Sequence, residues 1–109
     1  MKYIAHVSDI ESDDRVWEKD KDVRELFNGP MRRVVEVRLQ NGAILARHKA
    51  NEPITVFCVA GNGLFLAGPD LEDSHAMRAG TLITLEAGVE HEVVAGPRIH
   101  LIVTKFKSS

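Results

Sequence analysis

From Pro30 onward, short apolar segments are cut at short intervals by turn-forming residues, and that spacing constrains this chain more than any other feature. Asn41-Gly42, Glu52-Pro53, Gly61-Asn62-Gly63, Gly68-Pro69-Asp70, Ala79-Gly80, Ala87-Gly88 and Gly96-Pro97 punctuate it. Glycine supplies positive φ at little cost, and proline fixes φ and removes a backbone donor, so such clusters end strands. Between them lie Arg33–Leu39, Ala43–His48, Ile54–Ala60, Leu64–Ala67, His75–Arg78, Thr81–Leu85, His91–Val94 and Ile99–Phe106. In the first, Val35, Val37 and Leu39 alternate with Glu36 and Arg38, the period of a half-buried strand. Asn41-Gly42 is a hairpin signal, and Gly61-Asn62-Gly63 reads as a second tight turn. About eight short strands with turns every 8–12 residues predict an all-β sandwich or barrel. Eight antiparallel strands in two sheets suit a jelly roll, whose closure removes exposed edges. Lys105, Lys107, Ser108 and Ser109 read as a solvated tail.

The first thirty residues have a different character. Ser8 to Arg24 is densely charged, Ser8 and Glu11 have capping-box spacing, and Val16, Val23 and Leu26 recur at helical spacing. A short helix and an extended arm with Trp17 pinned to the barrel both satisfy this pattern. Asn28-Gly29-Pro30 breaks the chain after it. The expected organisation is an N-terminal arm over residues 1–30, partly helical or extended, followed by a β-barrel over residues 31–107.

The 109 residues are enough for one domain, and an apolar fraction of 44% supports a core. Fourteen Lys and Arg stand against sixteen Asp and Glu, a formal charge of −2. Such a balance argues against nucleic acid as a partner, because backbone phosphates demand a basic surface. One cysteine, Cys58, cannot form an internal disulfide, which suits a reducing cytoplasm. No apolar run at the start resembles a signal peptide, and none approaches the ~20 residues of a membrane helix. The expectation is a cytoplasmic protein with no membrane partner.

Two segments resemble the paired motifs of the cupin superfamily. Its first motif runs glycine, five residues, His-x-His, a short gap, glutamate, six residues, glycine. Here Gly42 is followed by five residues and His48, with Lys49 as spacer, Ala50 at the second histidine position, Ile54 at the glutamate position and Gly61 at the close. The second motif runs glycine, five residues, Pro-x-Gly, two residues, histidine. Here Gly80 leads to Glu86 at the proline position, then Gly88 and His91. Motifs and linker cover about half the chain, and the strand pattern extends the likeness from Arg33 to Phe106. The resemblance, to short stand-alone cupins with a degenerate first motif, implies a double-stranded β-helix, a jelly-roll barrel, that pairs as a homodimer. It also implies that His48 and His91 point into the barrel.

Metal-binding cupins hold a divalent ion with two histidines and a glutamate from the first motif and a histidine from the second. Two of those four positions are Ala50 and Ile54 here, leaving His48 and His91. No cofactor follows from the residues themselves; the resemblance implies a transition metal (Zn, Ni, Fe or Mn), with His48 and His91 as its surviving ligands. Catalytic zinc takes three protein ligands and non-haem iron two histidines plus a carboxylate. His75, His100 or Cys58 would have to complete the set. Each also has a plainer reading: His6, His75 and His100 as surface or core-edge imidazoles, and Cys58 as a packed small hydrophobe in Ile54–Val59. Glu90 and Glu92 alternate with His91 and so face away from it, as Arg47 does from His48. Glu86 is read as solvated, while Arg47 and Glu36 are candidates for a subunit interface. Phe57, Phe65, Met77 and Leu85 are candidate core or pocket-lining residues. No base and acid accompany Cys58 for nucleophilic chemistry, and no phosphate-binding glycine loop is present.

The sequence therefore predicts a small cupin-like barrel that binds a small molecule through His48 and His91. The alternative is a metal-dependent oxygenase or isomerase using the same two histidines. A third possibility is a structural or regulatory module that meets a partner through its arm or outer surface.

Overall fold

The computed structural model describes residues 2–11 and 16–108. Among these there is no helix, and so none long and apolar enough to cross a membrane. Seven strands form the fold: β1 (Lys21–Asn28), β2 (Arg32–Leu39), β3 (Ile44–Lys49), β4 (Ile54–Ala67), β5 (Asp73–Arg78), β6 (Leu82–Leu85) and β7 (Glu90–Phe106). All pairings are antiparallel.

Two long strands, β4 and β7, organise everything else. The first half of β4 pairs with β6 and with the second half of β7, from Ile54↔Lys105 to Gly61↔Ile99. Its second half pairs with β5 and with the first half of β7, from Gly63↔Ala95 to Ala67↔His91. β2 adds to the second half of β7 and carries β1 on its other edge, while β3 adds to the first half of β7. Each long strand thus belongs to two sheets, β1-β2-β7-β4-β6 and β3-β7-β4-β5, and the two face each other across a shared interior. That is the expected double-stranded β-helix.

Two segments read from sequence as ending strands, Gly61-Asn62-Gly63 as a tight turn and Gly96-Pro97 as a stop, are bends within these strands. Gly61-Asn62-Gly63 lies inside β4, where the register with β7 slips between Cys58 and Ala60 and again between Gly61 and Gly63. Gly61 has φ +85°, and a Cβ there would collide with the Arg98 carbonyl; at Gly63 it would stand 2.7 Å from the Val94 carbonyl. The glycines let β7 approach while β4 bends from one sheet into the other. Gly96-Pro97, a cis peptide, lies opposite that bend within β7. Asn41-Gly42 does form a tight turn, with both φ values positive and Ala43 N–H bonded to Gln40 O at 3.1 Å. It is a corner and not a hairpin, because β2 and β3 on either side belong to different sheets.

The N-terminal segment also differs from its helical reading. Val23 and Leu26 lie in β1, which pairs with β2 from Lys21↔Leu39 to Asn28↔Arg33. Residues 2–11 are neither helix nor strand, and the centre of the proposed helix, 12–15, falls outside the described residues. Trp17 is pinned to the barrel. The Arg98 guanidinium lies 3.7 Å from its ring centroid, and His100 meets the ring edge-on at 6.0 Å. Gln40 clasps its backbone: Oε1 accepts from Trp17 N–H at 3.1 Å, and Nε2 donates to Trp17 O at 2.6 Å and Lys19 O at 3.1 Å.

Alternation along the strands fixes the core. Val35, Val37 and Leu39 of β2 meet Ile54, Val56 and Cys58 of β4 and Ile99, Leu101 and Val103 of β7, all buried. Phe65 and Met77 join them, and Leu85 packs at the margin. Phe57 does not. It follows the inward Val56, so it faces outward, 42% exposed, opposite Leu82. Cys58 is fully buried; desolvation pushes its thiol pKa up, and Sγ donates only to Ala60 O at 3.4 Å. It is packing material and no ligand.

Candidate functional site

Between the two sheets lies a cavity of about 170 Å³. β3 and β7 place His48 and His91 directly opposite each other on its wall, with ring centroids 4.1 Å apart and planes inclined at 61°. Phe65, from the adjacent strand, stacks nearly parallel to the His91 ring at 5.8 Å. His91 is buried and His48 exposed toward the opening. The positions of Ala50 and Ile54 line the same cavity. All four ligand positions implied by the motif spacing therefore converge in space, and two of them carry no donor.

Backbone carbonyls set the chemistry of both imidazoles. Nδ1 of His48 donates to Ala46 O at 2.9 Å, and Nδ1 of His91 donates to Val89 O at 3.0 Å. A carbonyl only accepts, so Nδ1 carries the proton and the neutral ring keeps its lone pair on Nε2. Burial pushes the pKa of His91 below its ordinary value; the bond to Val89 opposes this, and the charges of His48 and Lys105 push it further down. His91 is accordingly a neutral imidazole near pH 7.

The remaining sequence candidates lie elsewhere. His75 stands on exposed β5, bonded to Ala76 O at 2.7 Å, outside the lining of this cavity. His6 bonds to Ser8 in the N-terminal segment, at 2.5 Å. His100 is buried on the opposite face of β7, where Nε2 donates to Glu36 Oε2 at 2.8 Å. Glu36, a candidate for a subunit interface, is instead 2% exposed within this chain and also pairs with Arg24 at 2.9 Å and Arg38 at 3.6 Å. Glu90 and Glu92 do face away from His91. Glu90 pairs with Arg47 at 3.5 Å, and Glu92 accepts from Arg47 N–H at 3.2 Å.

Among the described residues, the one charged lining residue was missed. Lys105, read as part of a solvated tail, lies inside β7 opposite Ile54 and lines the cavity. The alternation Leu101, Val103, Lys105 carried the signal, since a strand that buries the first two turns the third inward as well.

A divalent metal does not fit this donor set. Two imidazole nitrogens face methyl and methylene groups at Ala50 and Ile54, and the nearest added charge is the ammonium of Lys105. Among the described residues, no group of three or more His, Cys, Asp or Glu side chains is placed to hold an ion. Such sites need at least three protein donors.

No protein-family model matches the sequence, and no curated protein is similar to it. Solved structures are. A conserved protein of unknown function from Streptococcus pyogenes is 17% identical, with 98% of each chain covered and a TM-score of 0.76. An RmlC-like cupin protein from Desulfovibrio desulfuricans is 17% identical over 93% of this chain and 97% of its own, at a TM-score of 0.78. An RmlC-like cupin with a double-stranded β-helix fold, from Methanocaldococcus jannaschii, is 15% identical over 92% and 91%, at 0.72. Fold and site together define a cupin-type β-barrel. In particular, the described residues form a cupin-type double-stranded β-helix, with Ala50 and Ile54 at two of the four cavity positions that the motif spacing implies.

Proposed function

We propose that this barrel is a small-molecule-binding protein whose ligand enters between the two sheets and is held by His48 and His91. The observation that carries this reading is the cavity itself. Small barrels usually fill their interior with side chains. Here space remains beside two imidazoles whose Nδ1 protons are already committed to the backbone. Their Nε2 lone pairs can accept hydrogen bonds from a ligand. The apolar wall supplies burial worth roughly 25 cal/mol per Å². A few polar groups on an otherwise apolar concave wall is the usual make-up of a ligand site.

A ligand that binds only the folded state raises its thermal midpoint, by an amount equivalent to about 2.7 kcal/mol at a hundred times Kd. Screening a small-molecule library by thermal melt should therefore find shifts that His48→Ala and His91→Ala both reduce. Elemental analysis of protein purified without chelator should give far less than one transition metal per chain. A stoichiometric metal lost in both variants would replace this reading with that of a metalloenzyme.

A further inference from the structure

We propose that the ligand is a small monocarboxylate that also carries a hydroxyl, its anion held by Lys105, its hydroxyl donating to the imidazole pair, and its apolar body filling the space between the sheets. This deepens the small-molecule reading and rests on it. The argument starts from charge. The cavity lining contains three nitrogen bases, His48, His91 and Lys105; every other lining residue is apolar, and none is Asp or Glu. Other cations are either paired or in water: Arg24 and Arg38 have Glu36, Arg33 has Glu25, Arg47 has Glu90, and Lys107 has Asn28 and Gly29 O, while Lys19, Lys21, Lys49 and Arg78 are exposed to solvent. Lys105, half-buried, has no hydrogen bond or ion pair among the described residues. An ammonium turned toward an apolar cavity without a counter-charge is costly, and a bound anion removes that cost.

Position and size narrow the class. Lys105 is the cross-strand partner of Ile54, so the cation stands beside the position that holds glutamate in the first cupin motif. The local charge is thus reversed, from one that attracts cations to one that attracts anions. One ammonium matches one negative charge. A cavity of about 150 Å³ accommodates benzene, so about 170 Å³ suits a branched aliphatic or aromatic body of similar bulk. The wall offers too few donors for a sugar or a phosphate ester.

Matched acids and amides test this on the full chain. 2-Hydroxyisovalerate against 2-hydroxyisovaleramide, and 4-hydroxybenzoate against 4-hydroxybenzamide, keep shape and the donor hydroxyl while removing charge. Calorimetric titration should show each acid binding at least about tenfold more tightly than its amide, the effect expected of a charge-assisted hydrogen bond. Lys105→Met should erase that preference while retaining the wild-type circular dichroism, and Lys105→Arg should keep it. Equal binding of acid and amide, or acid binding undiminished in Lys105→Met, would overturn the anion assignment and leave the small-molecule reading standing. Should Lys105→Met fail to fold, the acid–amide ratio on the wild-type chain decides alone. Absence of binding by both pairs and by a broad library of uncharged molecules would defeat the small-molecule reading as well.

Discussion

His91 and His100 lie nine residues apart on one strand and are about equally buried, at 4% and 1% exposure, yet they occupy opposite worlds. His100 faces the outer surface beneath the N-terminal segment. There Glu36 ties it to Arg24 and Arg38, and Trp17 covers the cluster. Its charges are matched within the chain, although His100 Nδ1 and Arg38 Nε are buried without a partner. His91 faces inward, where one carbonyl holds Nδ1 and the cavity lining holds an ammonium but no carboxylate. Burial alone therefore does not distinguish a structural histidine from a site histidine. Partners do: the outer cluster satisfies its charges internally, while the inner one leaves an imidazole pair and an ammonium facing open space.

The largest test of that contrast is Glu36→Ala. It removes the carboxylate shared by Arg24, Arg38 and the buried His100, leaves His100 Nε2–H without its acceptor, and should cost about 2–3 kcal/mol in urea unfolding. His91→Leu removes one hydrogen bond beside a cavity and should cost no more than about 1.5 kcal/mol. Equal losses would break the comparison. Trp17→Ala comes next. It removes the stacked partner of Arg98 and the cover over His100, and a loss of about 2 kcal/mol is expected. A thermal melt unchanged by this variant would mean that the segment lies on the barrel without stabilising it.

A smaller effect is the response to pH. His91 titrates below its ordinary value of 6.5 in the folded chain, so the unfolded chain takes up a proton first as pH falls. Its stabilising contribution is complete above that ordinary value and is lost between it and the depressed one. Wild-type stability should decline more steeply than that of His91→Leu as pH is lowered from about 7.5 toward 5. Parallel declines would assign the loss to other groups. The smallest effect is Lys105→Met. Removing an unpaired inward cation should leave stability unchanged or raise it by up to about 1 kcal/mol, the mark of a residue kept for binding. A clear loss of stability would instead place Lys105 among the structural charges with Glu36.

Much of this was legible in the sequence. The resemblance to the two cupin motifs aligned Gly42, His48, Gly61, Gly80, Gly88 and His91, and the fold brings His48, Ala50, Ile54 and His91 to one cavity, because strand period and turn position fix which side chains share a face. The inward Val35, Val37 and Leu39 followed from the same alternation. What misled was punctuation. Gly61-Asn62-Gly63 and Gly96-Pro97 carry the residues of turns but serve as bends, because each long strand has a continuous partner in the other. Phe57 was grouped with the core for its size, and Lys105 with the tail for its charge, although the alternation around each gave the opposite answer.

By itself the sequence determined the local quantities: which positions alternate, where a corner such as Asn41-Gly42 turns, and where the two motif-spaced histidines fall. These depend on φ preferences, missing donors and a period of two, all short-range properties. The tertiary structure decided the rest. It made two long strands out of four short ones, folded β1 onto β2, sent His100 to Glu36 and His91 to the cavity, and turned Lys105 inward without a partner. Those outcomes depend on which distant segments pair and where their charges meet, and no local pattern contains that information.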